Sequence, residues 1–193
     1  MSAFEIRSVT GSALEELHRC HMVRDFPSNE LKPLPMLQSL TAQGINSVWA
    51  VEQIGILIAY YVLAHVPSCP AVLLDYFAVI PELRSKGIGS QVLEFVAEGL
   101  PAEQYLLIEC ERPASASDAE ERCLRQRRFD FYRRCGAAPS GLCSTLWGVD
   151  YALLTMGGRI SSLEEDYHCL YRCMLSKDFY QQHVRTYSAN ETE

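Results

Sequence analysis

The segment Leu73-Leu74-Asp75-Tyr76-Phe77-Ala78-Val79-Ile80-Pro81-Glu82-Leu83-Arg84-Ser85-Lys86-Gly87-Ile88-Gly89-Ser90 restricts the fold more than any other part of the chain. It begins as a buried strand and stops at a proline. It then passes through a glycine-containing turn into an apolar pattern of helical period, with Ile88, Val92, Phe95, Val96 and Gly99 on one face. Consecutive backbone N–H groups at such a turn converge on an anion, aided by the positive end of the helix dipole. Gly87 and Gly89 have no side chain to obstruct a phosphate, and Arg84 and Lys86 add positive charge. Two familiar phosphate loops are excluded. No Lys-Ser/Thr pair follows Gly89, as a GxxxxGK[ST] loop requires, and Val92 stands where GxGxxG needs its last glycine.

Around this segment the pattern predicts a mixed α/β domain in the order β-α-α-β-β-β-α-β-α-β-β. Phe4 to Val9 reads as a short strand. Ser12-Ala13-Leu14-Glu15 has the form of a capping box, with Leu14, Leu17 and His21 following at helical spacing. Asp25 to Pro33 reads as a loop, and Pro33 and Pro35 open a second helix that Gly44 ends. Ser47–Glu52 and Ile56–Val66 form a hairpin about Gln53-Ile54-Gly55, and Val72–Val79 follows. Tyr105–Cys110 is a further strand and Asp118–Cys135 a charged helix. Leu142–Trp147 and Val149–Met156 are strands. Ser161 and Ser162 cap a helix carrying Leu163, Tyr167, Leu170 and Met174, and Lys177–Val184 is a last short helix.

Composition narrows the function. In 193 residues, 48% hydrophobic and 21% charged, there is material for one well-filled domain. With 24 acidic against 17 basic residues the net charge is −7, which argues against a nucleic-acid surface. The arginines at 122, 125, 127, 128, 133 and 134 alternate with acidic residues, as on a solvated helix with i,i+4 ion pairs. The start, Met1 to Arg7, has no apolar run after its basic residue, and Ile54 to Ala64 is too short to span a membrane. A cytoplasmic protein without membrane or nucleic-acid partners is therefore expected. The eight cysteines offer no CxxC knuckle and read as buried thiols, so no metal is expected.

Val79-Ile80-Pro81 followed by Arg84-Ser85-Lys86-Gly87-Ile88-Gly89 resembles the [QR]xxGx[GA] acetyl-CoA-binding motif of the GNAT superfamily of N-acetyltransferases. Phe131-Tyr132-Arg133-Arg134-Cys135-Gly136 resembles the FYxxxGF element of the same family, with Ala137 in place of its last aromatic. The resemblance runs over residues 4 to 156. It implies a GNAT domain over residues 1–157 with a mixed, mostly antiparallel, splayed sheet of six to seven strands. Residues 158–193 would be a helical extension packed on that domain.

The resemblance also implies roles. Acetyl-CoA would be the co-substrate, its pyrophosphate on the backbone of Arg84, Ser85, Lys86, Gly87, Ile88, Gly89 and Ser90. Its pantetheine arm would lie along Phe77, Ala78 and Val79, where a backbone N–H polarises the acetyl carbonyl. Tyr132 matches the general acid that protonates the leaving thiolate. Glu109 matches the general base of the ribosomal-protein N-terminal acetyltransferases, with Glu111 and then Asp75 in reserve. A primary amine, small rather than peptidic, would attack directly in a ternary complex. Glu30, Asp75 and Glu111 would border the acceptor and favour a cationic one. Two rivals stay open: a protein acetyltransferase, and an acyl-CoA-binding sensor without turnover. Tyr167, Tyr171, Phe179 and Tyr180 would serve as an acceptor wall, as a homodimer contact, or, most plainly, as packing.

Overall fold

The computed structural model describes residues 4–189. Two compact units are distinguished, one running up to His65 and resuming over Leu74–Val92, the other holding Val66–Leu73 and everything from Leu93 onward. Among the described residues eight strands occur in the hydrogen-bonded order β1-β2-β3-β4-β5-β7-β6-β8. The sheet is mixed and mostly antiparallel, with the elements in the expected order up to β7.

The first unit contains β1 (Glu5–Ser8), β2 (Asn46–Gln53), β3 (Ile56–Ala64) and the last six residues of β4 (Ala71–Val79). Its helices are α1 (Gly11–Leu17), α2 (Val23–Asp25) and α3 (Leu34–Ala42), with a π-turn, His18–Met22, between the first two. Val48 and Ala50 pair with Val62 and Tyr60 across the β2–β3 hairpin. These four, with Tyr76 and Ala78 of β4, are buried against Leu14, Leu17, Met22 and Leu37. The alternation along each strand places one face in this core.

Two expectations fail in the first helical run. The capping box does not form: Thr10 is the N-cap without a side-chain bond, and Glu15 instead accepts from Gln38 Nε2 at 3.0 Å. The buried position after Leu17 is Met22, not His21. A π-turn inserts one residue into the helical period, so the apolar face advances by five positions instead of four.

The second unit contains the first three residues of β4, β5 (Tyr105–Glu111), β6 (Ala138–Leu146), β7 (Val149–Met156) and β8 (Val184–Ser188). Ala71, Val72 and Leu73 pair in parallel with Tyr105, Leu106 and Leu107. Helices α5 (Ala119–Arg134), α6 (Leu163–Met174) and α7 (Lys177–His183) complete it. Helix α4 (Ile88–Glu98) belongs to both units. It buries Val92, Leu93 and Val96 and leaves Phe95 52% exposed, so Leu93 takes the interior position expected of Phe95.

The extension is not purely helical. After α7 the chain returns as β8, antiparallel to β6 from Leu142↔Ser188 to Leu146↔Val184. That raises the strand number above the expected six to seven.

A histidine ties this layer together. Thr186 Oγ1 donates to Glu164 Oε1 at 2.6 Å and lies 2.9 Å from His168 Nε2, while Tyr180 Oη is 3.0 Å from Nδ1. Thr186 has one proton and gives it to Glu164, so Nε2 carries the imidazole proton and Nδ1 accepts from Tyr180. Burial lowers the His168 pKa, Arg172 adding to the effect and Glu164 opposing it. A depressed histidine stabilises the fold above its unfolded pKa of about 6.5, and that contribution is lost as pH falls through the lower folded value. Hydrogen exchange of the β8 amides, corrected for intrinsic rate, should show protection decreasing from about pH 7.5 to about pH 5. Constant protection would mean that His168 does not secure β8.

Candidate functional site

In the first unit the turn before α4 has an unusual backbone. Ser85 lies at φ 63° and Gly87 at φ 80°. The left-handed region costs a serine about 1–2 kcal/mol, and such strain collects where a loop must hold a particular shape. Gly87 accepts this conformation without that cost. Its carbonyl accepts from Gln91 N–H at 3.2 Å, so the helix begins directly behind the turn. The first-turn amides of a helix have no acceptor within it. Arg84, Ser85, Lys86, Gly87 and Ser90 are exposed, and Ile88 and Gly89 half-buried. An exposed helix start with glycines at its head fits a diphosphate.

Arg84 differs from its expected use as added phosphate charge. Its Nε donates to the Val79 carbonyl at 3.0 Å, and its guanidinium lies 3.7 Å from Asp25 Oδ1. The Asp25 side chain is buried and also accepts from Tyr60 Oη at 2.8 Å and from Arg24 Nε at 3.1 Å. Burial, then the Asp25 carboxylate, push the Tyr60 phenol well up, so it remains a donor. Arg84 thus braces the turn against the end of β4. Along that strand Phe77 and Val79 are half-buried and Ala78 buried.

Of the expected acceptor carboxylates, Asp75 and Glu111 are taken up by cations. Asp75 accepts from Lys32 Nζ at 2.5 Å and Asn46 Nδ2 at 2.9 Å, and both charged side chains are 4% exposed. The reserve role for Asp75 as a base therefore gives way to a structural one. Lys32 further donates its N–H to Tyr76 Oη, which donates to the Glu30 carbonyl. The Glu30 residue is half-buried in this latched loop. The buried Lys32 ammonium thus neutralises Asp75, one of the carboxylates expected to draw in a cation.

In the second unit, Glu111 is buried and ion-paired with Arg125 (3.3 Å) and with Arg128. Arg125, itself buried, also holds Glu121 one turn back at 2.6 Å. The Arg-rich helix is therefore solvated over only part of its face, because Arg125 points inward to neutralise a strand carboxylate. Glu109, two residues before Glu111, has different surroundings. It is half-buried and accepts a hydroxyl on each oxygen, from Tyr167 and Tyr171 of α6, both at 2.7 Å. These tyrosines are 0% and 1% exposed, so they are interior groups and not a surface contact. Phe179 is 53% exposed.

Tyr132 lies in the last turn of α5. That helix ends with Gly136 at φ 96°, its N–H bonded to the Arg133 carbonyl, and with Ala137 N–H bonded to the Tyr132 carbonyl. This is a Schellman cap, and it explains why glycine follows Tyr132 at that distance. Ala137 is buried at 5%. Burial raises the Tyr132 phenol, Cys110 and Cys135 adding to the shift and Arg128 opposing it. The phenol stays protonated throughout the neutral range. Burial likewise pushes the Cys110 thiol to about 12, the reverse of an activated nucleophile.

Among the described residues no cluster of three or more His, Cys, Asp or Glu could hold a metal, and no helix is long and apolar enough to cross a membrane.

No protein-family model matches the sequence, and no curated protein matches it. Solved structures do. A Bacteroides thetaiotaomicron protein assigned to the GNAT acetyltransferases is 22% identical with TM-score 0.64, covering 91% of this chain and 98% of its own. Arabidopsis thaliana NAA60 in complex with acetyl-CoA is 15% identical with TM-score 0.59, over 79% and 97%. Spermidine N-acetyltransferase from Vibrio cholerae, in complex with CoA and spermine, is 12% identical with TM-score 0.58, over 81% and 96%. At these identities the likeness is one of fold, and the fold of this chain is that of the GNAT acetyltransferases.

Proposed function

We propose that the chain is an N-acetyltransferase that transfers the acetyl group of acetyl-CoA to a primary amine. The observation that carries this reading is the turn with left-handed Ser85 and Gly87 at the head of α4, braced by Arg84 on Val79, in a fold that neighbours present with CoA or acetyl-CoA bound. Acetyl-CoA supplies an activated thioester when bound. The backbone of Arg84 to Ser90 holds its diphosphate, and Phe77, Ala78 and Val79 line its pantetheine arm. Glu109 takes the proton of the incoming ammonium, and Tyr132 returns one to the departing sulfur. The pair favours an enzyme over a binding sensor, which would need neither group. A small amine is the preferred acceptor, in line with the spermine-bound neighbour, and a peptide amine is the alternative.

Gly89→Glu tests the cofactor site by placing a side chain and a negative charge at the helix start. Calorimetry should show acetyl-CoA affinity falling by about tenfold or more in the folded variant. Unchanged affinity would remove the loop from the site. Thiol release from acetyl-CoA over a panel of polyamines, aryl amines and peptides then selects the acceptor.

A further inference from the structure

We propose that Tyr167 and Tyr171, contributed by the C-terminal extension, are positioning residues for the base Glu109. This rests on the acetyltransfer reading above and assigns part of α6 to the same site.

The two tyrosines are one turn apart on the buried face of α6, with Leu170 between them and Met174 beyond. Their rings lie 4.8 Å apart and each hydroxyl takes a different carboxylate oxygen. A helix that only covered the sheet would need phenylalanine here, because a buried hydroxyl must find a partner to offset its desolvation. Burial raises the Tyr167 phenol well above its ordinary value, with Glu109 adding to the shift, so it stays protonated and donates to the carboxylate. An ionised carboxylate has about four acceptor positions, so it can accept two hydroxyls and still take up a proton. Two inward donors fix the rotamer of Glu109 and with it the direction of its lone pairs.

A purely anchoring role predicts the same contacts but different kinetics, and a double-mutant cycle separates them. The assay is thiol release from acetyl-CoA with the fastest acceptor among spermidine, benzylamine and an alanyl peptide, on the full chain. Tyr167→Phe and Tyr171→Phe should each lower kcat by about tenfold, the size expected of a hydrogen bond to a charged group, while acetyl-CoA affinity is kept. In a Glu109→Gln background either substitution should change kcat by less than about twofold, because no base is left to position. Equal losses in both backgrounds, or full kcat with only a lower Tm, would overturn the positioning role. If Tyr167→Phe does not fold, Tyr171→Phe carries the same cycle. Glu109→Gln at the wild-type rate would instead overturn the assignment of the base.

Discussion

Tyr132→Phe is expected to lower kcat by about 10²–10⁴-fold, the range typical of a lost general acid, while acetyl-CoA binds almost as before. The phenol is kept protonated by its burial, and the leaving thiolate needs that proton only as the bond to sulfur breaks. Phenylalanine preserves the ring and its edge contact with Phe131 at 5.2 Å. The Schellman cap uses only the backbone of Tyr132, so it too survives. A rate loss in this variant therefore reports on the hydroxyl. Glu109→Gln should behave differently, costing most toward pH 6, where the acceptor arrives as an ammonium and a base is needed most. Full rates for both variants from about pH 6 to about pH 9 would assign the proton transfers to other groups.

The second large effect concerns stability. Lys32→Met should destabilise the first unit by about 3–5 kcal/mol, because it leaves the Asp75 carboxylate buried without its cation. Lys32 and Asp75 are each 4% exposed, so water cannot replace the lost partner without opening the core. The double variant Lys32→Met, Asp75→Leu should recover most of that loss, since apolar replacements of a buried pair are often neutral or better. Denaturant titrations of these two variants and the parent chain give the comparison. A loss below about 1 kcal/mol for the single change would place the pair in the class of surface ion pairs.

How far the sequence reveals such features depends on the separation of the residues that make them. The turn around Gly87 and the cap around Gly136 are legible because each requires glycine at a left-handed position beside a fixed helix end. That requirement is local and leaves a pattern of a few residues. The Lys32–Asp75 pair spans 43 positions and the Tyr167–Glu109 bond 58, and no periodicity records which side chains meet across such separations. Asp75 and Glu111 look like open carboxylates in the sequence for that reason, and Arg125 like a surface arginine. The π-turn is hidden for another reason. Leu14, Leu17 and His21 satisfy a regular helix, and only the packing of Met22 discloses the extra residue. Strand β8 escapes the pattern because Val184 completes an apolar helical face as well as it begins a strand of five residues.

That strand also bears on how copies of this chain can associate. A sheet grows by offering a row of unused backbone donors and acceptors to another strand. Here the outer row of β6 is already occupied along Leu142–Leu146 by the chain's own C-terminal segment. A second molecule cannot extend the sheet at β6 unless β8 first peels away. Shortening the chain before Val184 would expose that row and move the open margin of the sheet from the five residues of β8 to the nine of β6.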